Sequence, residues 1–155
     1  MDETSITQFI AGTFSGVDVV VGDEGVGAGD TFFFYDPNRQ LDPAHRLPFE
    51  TIVTKDYGDF DAASNLNRTG VFRLNIGIGR DTYRALFPET EAASATGEAA
   101  EAAYDFAAFD RLLPHPVYGK MHWVCILNPS VATFEAVRPL LAEAYDRVAR
   151  KQAKE

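Results

Sequence analysis

The sequence predicts an α+β protein in which an antiparallel sheet is flanked by a helix near each end of the chain. Three observations lead to this fold class. Strand-like runs cluster in the first half of the 155 residues instead of alternating with helices. Residues 71–78 alternate between apolar and more polar positions, the period of a strand with two unlike faces. Residues 114–150 have the pattern of a loop, a buried strand and an amphipathic helix.

The length and composition predict one packed domain over residues 1–155, without a metal ion or a cofactor. A chain of this size buries roughly two thirds of the surface that it exposes when unfolded, and 46% of its residues are hydrophobic. The single cysteine, Cys125, lies in an apolar run and is interpreted as a small buried hydrophobic residue. One cysteine and three dispersed histidines match no familiar spacing of metal ligands.

The net charge of −9 argues against nucleic acids and anionic membranes as partners, because such a field repels phosphate groups. One basic cluster ends the last helix and is interpreted as complementing the helix dipole: Arg147, Arg150, Lys151 and Lys154. The first residues are acidic rather than basic, and no apolar run reaches the roughly 20 residues of a spanning helix. We therefore expect a soluble, cytoplasmic protein.

The first elements in chain order are a helix and a hairpin. Residues 4–13 have one apolar side, with Asp2 and Thr4 as alternative caps. Val17–Val21 and residues 31–36 are β-rich, and the Gly-rich loop that joins them indicates a hairpin. This loop lacks the Lys and the Ser or Thr of a phosphate-binding P-loop and carries acids, so we interpret it as a flexible connection.

The middle of the chain adds two strands and two short helices. Residues 49–55 and 71–78 are predicted strands, and residues 79–87 are a predicted helix that ends before a proline. Residues 89–103 are rich in Ala and Glu and have little to bury, which predicts a mobile segment, helical or disordered. Residues 106–113 are a predicted short helix.

The last strand and helix form the C-terminal part of the predicted core. Residues 121–127 are apolar on both faces, and Trp123 is the predicted main core residue of this strand. Thr133 is the predicted cap of the last helix. Because proline removes a backbone donor, Pro139 requires either a kink or a helix that starts near Val137.

Polar side chains on the more polar strand faces and at strand ends are the candidate ligand-binding residues. Arg73 and Asn75 share one face, Lys55 and Lys120 stand at the ends of other strands, and His122 begins the last strand. If these strands are neighbours, they form a polar groove with a cationic centre, which suits a carboxylate or phosphate. The alternative is a solvated sheet face with cross-strand ion pairs.

Three roles are open for Arg73 in particular. It is solvated, it is paired with an acid such as Asp36 or Glu50, or it anchors a small anionic ligand. The third role is our prediction. The chain contains no metalloprotease, nucleophile-elbow or dinucleotide-binding motif, and structural or surface roles are favoured for His45, His115 and His122.

Several strings in the chain resemble a known bacterial family. GDTFFFYDP, PFETIVTKDY, GVFRLNIGIGRDTYRALF and FDRLLPHPVYGKMHWVCILNPSVATFEAVRPLLAEAY are similar to domain-of-unknown-function family 6194 over nearly the whole chain. More remotely, the segment from Pro116 to Val148 resembles the YjbR/MmcQ-like proteins, and Lys120, His122 and Trp123 match their recurring K-x-H-W string. That likeness implies a terminal helix on each side of an antiparallel sheet, as in secretion chaperones. It also implies DNA binding for some members, against which the acidic charge argues.

The sequence thus favours a cytoplasmic binding or interaction domain without catalytic machinery. The alternative is a small-molecule binding protein or enzyme that uses Arg73 and Asn75 with His122 or Lys55 nearby. The expected partner is a small anionic ligand or another protein, and the expected state is a monomer or a homodimer.

Overall fold

The computed structural model describes residues 1–90 and 104–154 and confirms the α+β class. In chain order the helices and strands are α1 (Glu3–Thr13), β1 (Val17–Val21), β2 (Thr31–Tyr35), β3 (Glu50–Val53), β4 (Arg73–Gly77), α2 (Arg80–Leu86), β5 (Leu113–Pro114), β6 (Trp123–Leu127) and α3 (Val131–Ala153). The described strands form a six-stranded antiparallel sheet in the order β1-β2-β3-β4-β6-β5. The predicted Ala/Glu-rich segment lies outside the described residues from residue 91 onward.

The predicted first hairpin is formed by β1 and β2. Val17 lies opposite Tyr35, and Val21 lies opposite Thr31. The loop between the strands contains one 3-10 turn, Gly25–Gly27, and leads directly into β2 rather than into a helix. The loop therefore joins two strands and has no phosphate-binding architecture.

One face of the sheet, the helix face, is covered by α1 and α3 together. Ile6 of α1 and Leu141 of α3 are fully buried in the same core as Leu74 of β4. The rings of Phe9 and Phe134 meet edge to face at 5.3 Å between centroids, so the two helices contact each other. The YjbR/MmcQ likeness implied one helix on each side, whereas here the apolar stripes of both helices cover the same strands.

Helix α3 starts earlier than predicted and is continuous. The Ser130 hydroxyl accepts a hydrogen bond from the Thr133 backbone N–H at 3.2 Å, so Ser130 is the N-cap and the predicted cap is wrong. The helix continues through Pro139 to Ala153, so a start near Val137 is also wrong. Pro139 faces solvent, and buried residues on both sides of it stabilise the helix against the core.

The opposite face of the sheet, the loop face, is covered around Arg73 by the segment that contains Asp61, Ser64 and Leu66 and by His115. All five residues of β4 are buried, and the predicted solvent-facing side is absent because Arg73 is 0% exposed and Asn75 is 3% exposed. A small apolar cluster lies beside them: Val53, Leu66, Val71 and Leu127. The groove expected here is therefore filled by the protein's own chain.

Two further predictions fail on the loop face. Residues 106–113 contain a turn, a bridge and the first residue of β5 rather than a helix, because Asp110 donates its backbone N–H to Leu127 at 2.7 Å and Phe109 bridges to the same strand end. Trp123 is half-buried, with its ring lying over Gly77, while the following four residues of β6 are fully buried. Trp123 is thus not the main core residue of this strand.

No helix in the described part of the chain is long and apolar enough to cross a membrane.

Candidate functional site

The five predicted ligand-binding residues lie in three different environments. Arg73 and Asn75 belong to a buried network on the loop face, Lys55 belongs to an adjoining acid cluster, and Lys120 and His122 lie in a turn near several arginines.

The guanidinium group of Arg73 is the centre of the buried network. Its Nη1 and Nη2 donate to the two carboxylate oxygens of Asp61 at 3.0 and 2.6 Å, which is a bidentate ion pair. Nη1 also donates to Ser64 Oγ at 2.9 Å, and Nε donates to Asn75 Oδ1 at 2.8 Å. Asn75 in turn donates to Thr51 Oγ1 at 2.9 Å. Of the three roles open for Arg73, the structure thus supports ion pairing, with Asp61 rather than Asp36 or Glu50 as the acid.

The imidazole ring of His115 lies against the guanidinium group of Arg73. Burial, followed by the charge of Arg73, lowers the pKa of His115 to about 3, so the ring is neutral and carries a single proton. Its Nδ1 accepts the backbone N–H groups of Val117 and Tyr118, both at 3.0 Å, which assigns that proton to Nε2. Nε2 lies 3.1 Å from Arg73 Nη2 and 4.0 Å from Asp61 Oδ2. An incoming anion would have to displace one of these groups to reach Arg73.

Lys55 belongs to a second cluster, around the fully buried carboxylate of Asp30. Asp30 accepts the Thr54 backbone N–H at 2.8 Å, the Thr54 hydroxyl at 3.0 Å, the Tyr57 hydroxyl and the Lys55 ammonium at 3.3 Å. Lys55 Nζ also donates to the carbonyl of Ala28 at 2.5 Å. These contacts tie the hairpin loop to the start of the segment that covers the loop face, so Lys55 is engaged in structure.

The buried groups around Arg73 are not arranged for nucleophilic chemistry. Burial raises the pKa of the Cys125 thiol to about 12, so its thiolate is scarce at neutral pH. Both nitrogens of His115 face other protein groups. Within the described ranges, no set of three or more His, Cys, Asp or Glu side chains is placed to hold a metal ion.

His122 lies at a basic corner, which we define as Arg80, Arg84, His122 and Arg147. His122 follows the 3-10 turn Gly119–Met121, which contains the exposed Lys120, and its ring lies 5.5 Å from the ring of Tyr83. Burial, followed by the charges of Arg84, Arg147 and Arg80, lowers the pKa of His122. Three guanidinium groups from two helices thus lie within electrostatic range of one imidazole.

Helix α2 is held in place at this corner by α3. Glu143 accepts the backbone N–H of Gly79 at 2.8 Å and the Thr82 hydroxyl at 2.6 Å. Arg147 Nη1 donates to the carbonyl of Gly77 at 3.3 Å, and a Cβ at Gly79 would lie 3.7 Å from the Arg147 side chain. The arginines are therefore presented from fixed elements, and Arg147 does more than complement a helix dipole.

Sequence reasoning missed a buried acid on the helix face. Glu50 lies opposite Phe33 and Ile76 in the sheet and is 0% exposed. Neither carboxyl oxygen has a hydrogen-bond partner among the described residues. Burial raises the pKa of Glu50 well above its ordinary value, because ionisation here would leave an unpaired charge in an apolar core. No local pattern distinguishes this glutamate from the exposed ones.

Comparison with known proteins gives one match. The model of a family of unknown function matches residues 1–155, the whole chain. No curated protein and no solved structure matches the chain.

Proposed function

Since the chain belongs to the family of unknown function DUF6194, we propose its function from the site: a non-catalytic, cytoplasmic domain that binds a small anion at the basic corner. The observation that carries the proposal is that the charges of Arg84, Arg147 and Arg80 all act on His122 and lower its pKa, in a chain of net charge −9. Guanidinium groups suit carboxylate and phosphate oxygens because they offer paired donors in a plane.

Glu143 and Asp81 are two acids beside the corner in the described part of the chain. Glu143 already accepts two hydrogen bonds from α2, and Asp81 is exposed and only 3.5 Å from Arg80 in a surface pair. Surface pairs of this kind contribute little, so Arg80 remains available to a ligand. Lys120, two residues before His122, adds a further exposed cation on the approach.

The proposal keeps two of the five residues predicted from sequence, Lys120 and His122, and gives Arg73 and Asn75 a supporting role. The remote likeness to the bacterial YjbR/MmcQ-like proteins is part of the proposal, and the K-x-H-W string that ends at Trp123 supports it. The acidic charge of the chain supports the absence of nucleic-acid and membrane partners.

Thermal melting in inorganic phosphate and in citrate, with chloride controls of matched ionic strength, tests the proposal. A ligand that binds only the native state at ten times its Kd stabilises it by about 1.4 kcal/mol. We expect the melting temperature of the wild type to rise with at least one of these anions.

Two charge-neutralising variants make the test specific. Arg80→Gln removes an exposed guanidinium of the corner without touching the core, and it should abolish most of the rise. Arg150→Gln removes the same charge from an exposed position near the end of α3 and should keep the full rise. An equal response of both variants, or no response of the wild type to either anion, overturns the proposal.

A further inference from the structure

The two edges of the sheet are built differently. The β5 edge is only two residues long and contains Pro114, which has no backbone N–H. Short edge strands and prolines are common means of preventing the addition of another strand. The β1 edge has five residues, Val17–Val21, with the sequence VDVVV and no Pro, Gly or Lys. It therefore lacks the short length and the proline that protect the other edge.

The hydrogen-bonding groups on the outer side of β1 can be identified from its pairing with β2. Asp36 donates its backbone N–H to the carbonyl of Gly16, and Gly22 donates to the carbonyl of Asp30, both at 2.9 Å. The backbone N–H and C=O groups of the even-numbered residues between them therefore point toward β2. Those of the odd-numbered residues point outward, because hydrogen-bonded and non-hydrogen-bonded pairs alternate in an antiparallel ladder. The outward groups belong to Val17, Val19 and Val21. In residues 1–90 and 104–154, no hydrogen bond from another segment satisfies these groups.

We propose that β1 pairs with β1 of a second copy of this chain in an antiparallel ladder about a two-fold axis at Val19. In this register Val19 lies opposite Val19 of the other copy, and Val17 lies opposite Val21. Each of these pairs uses N–H and C=O groups that face outward, so the ladder has no mismatched position. A two-fold interface requires one patch to be complementary to itself, and this edge meets the requirement.

The side chains are compatible with this register. Asp18 lies opposite Val20 of the other copy rather than opposite its own equivalent, so no like charges face each other. Asp18 is also neutralised within its own chain by Arg39 at 2.7 Å and Arg46 at 2.8 Å. Val21, which is 60% exposed, gains an apolar neighbour in Val17 of the second copy. The edge thus joins two acidic chains at a locally neutral, apolar strand.

Analytical ultracentrifugation of the wild type and two matched variants tests the proposal. The wild type should sediment as a dimer, with twice the 17.0 kDa mass of the chain. Val21→Pro removes an outward N–H that the fold itself does not use, and prolines are tolerated at sheet edges. It should weaken the dimer by about tenfold or more, the effect of roughly 1.4 kcal/mol. Val21→Thr keeps the N–H and the β-branched shape and should remain dimeric.

Hydrogen exchange of the wild type gives a second, independent readout. The amide of Val19 should exchange slowly in the dimer, and its exchange should accelerate on dilution to the monomer. Any one of three results overturns the proposal: the wild type stays monomeric, the Val21→Pro variant is folded and as dimeric as the wild type, or the Val19 amide exchanges fast in the dimer. If Val21→Pro fails to fold, the exchange of Val19 decides alone.

Discussion

Replacement of Arg73 by glutamine tests the role of the buried network most directly. The substitution leaves the Asp61 carboxylate, which is 9% exposed, without the guanidinium that donates to both of its oxygens. Breaking one partner of a buried ion pair costs about 3–5 kcal/mol, because the remaining charge stays desolvated. Since the Gln amide can still donate one hydrogen bond, we expect a loss near the lower end, about 3 kcal/mol.

The measurement is urea unfolding at neutral pH, with the midpoint and slope compared between variants. Arg111→Gln is the matched control, because Arg111 is exposed and its loss changes the net charge equally. The control should stay within about 0.5 kcal/mol of the wild type. The double variant Arg73→Gln/Asp61→Asn should lose less than the sum of the two single variants, because both charges are then absent.

A loss below about 1 kcal/mol for Arg73→Gln would refute the reasoning, because a surface charge gives an effect of that size. If the same variant lost affinity for an anion instead, Arg73 would be a ligand anchor, as the sequence predicted. The assay thus separates the two roles of one residue.

Four further outcomes are expected. Glu50→Gln should gain stability relative to the wild type as the pH rises above about 4.5, by up to roughly 1.4 kcal/mol per pH unit. The reason is that the raised pKa of Glu50 makes the wild type lose stability over this range. A stability difference that does not change with pH contradicts this. The pKa of His115 is lowered, so its effect on the pH dependence of stability is the opposite: wild-type stability should fall as the pH drops below about 6.5. His115→Gln should have a shallower slope of unfolding free energy against pH in the same titration. Trp123→Ala should cost about 1–3 kcal/mol in urea unfolding, less than a fully buried ring, because Trp123 is half-buried over Gly77. Duplex DNA should not bind near physiological salt, and micromolar, salt-sensitive binding in a titration would contradict the charge argument.

The regular part of the fold could be predicted because its signals are local. The alternation of residues 71–78 and the apolar stripe of the last helix each follow from the period of one element. The predicted strand 121–127 contains β6, which pairs with β4. Where local signals compete, as between Ser130 and Thr133 for the cap of α3, the geometry of the preceding turn decides.

The candidate site was predicted less well because its contacts are distant in sequence. The alternation that revealed a polar face of β4 could not show that Asp61, Ser64 and His115 fold over it. Burial of a charged residue depends on a partner from another segment, and no periodicity encodes that partner. The basic corner likewise combines Arg80 and Arg84, four residues apart on α2, with Arg147 of α3. The spacing on α2 was a usable local signal, but the approach of α3 was not.

The two faces of the sheet should respond to temperature in opposite directions. The helix face is covered by apolar side chains such as Ile6 and Leu141, and apolar association weakens on cooling. The loop face is attached by a buried ion pair beside a small apolar cluster, and the cost of dehydrating charged groups falls on heating. Cooling therefore loosens the helices first, whereas heating preserves the attachment of residues 54–72 relative to the rest of the molecule. The two faces of the sheet are covered through interactions that depend differently on temperature. We therefore expect at least one face to stay covered over a wider range of temperature than either interaction alone would allow.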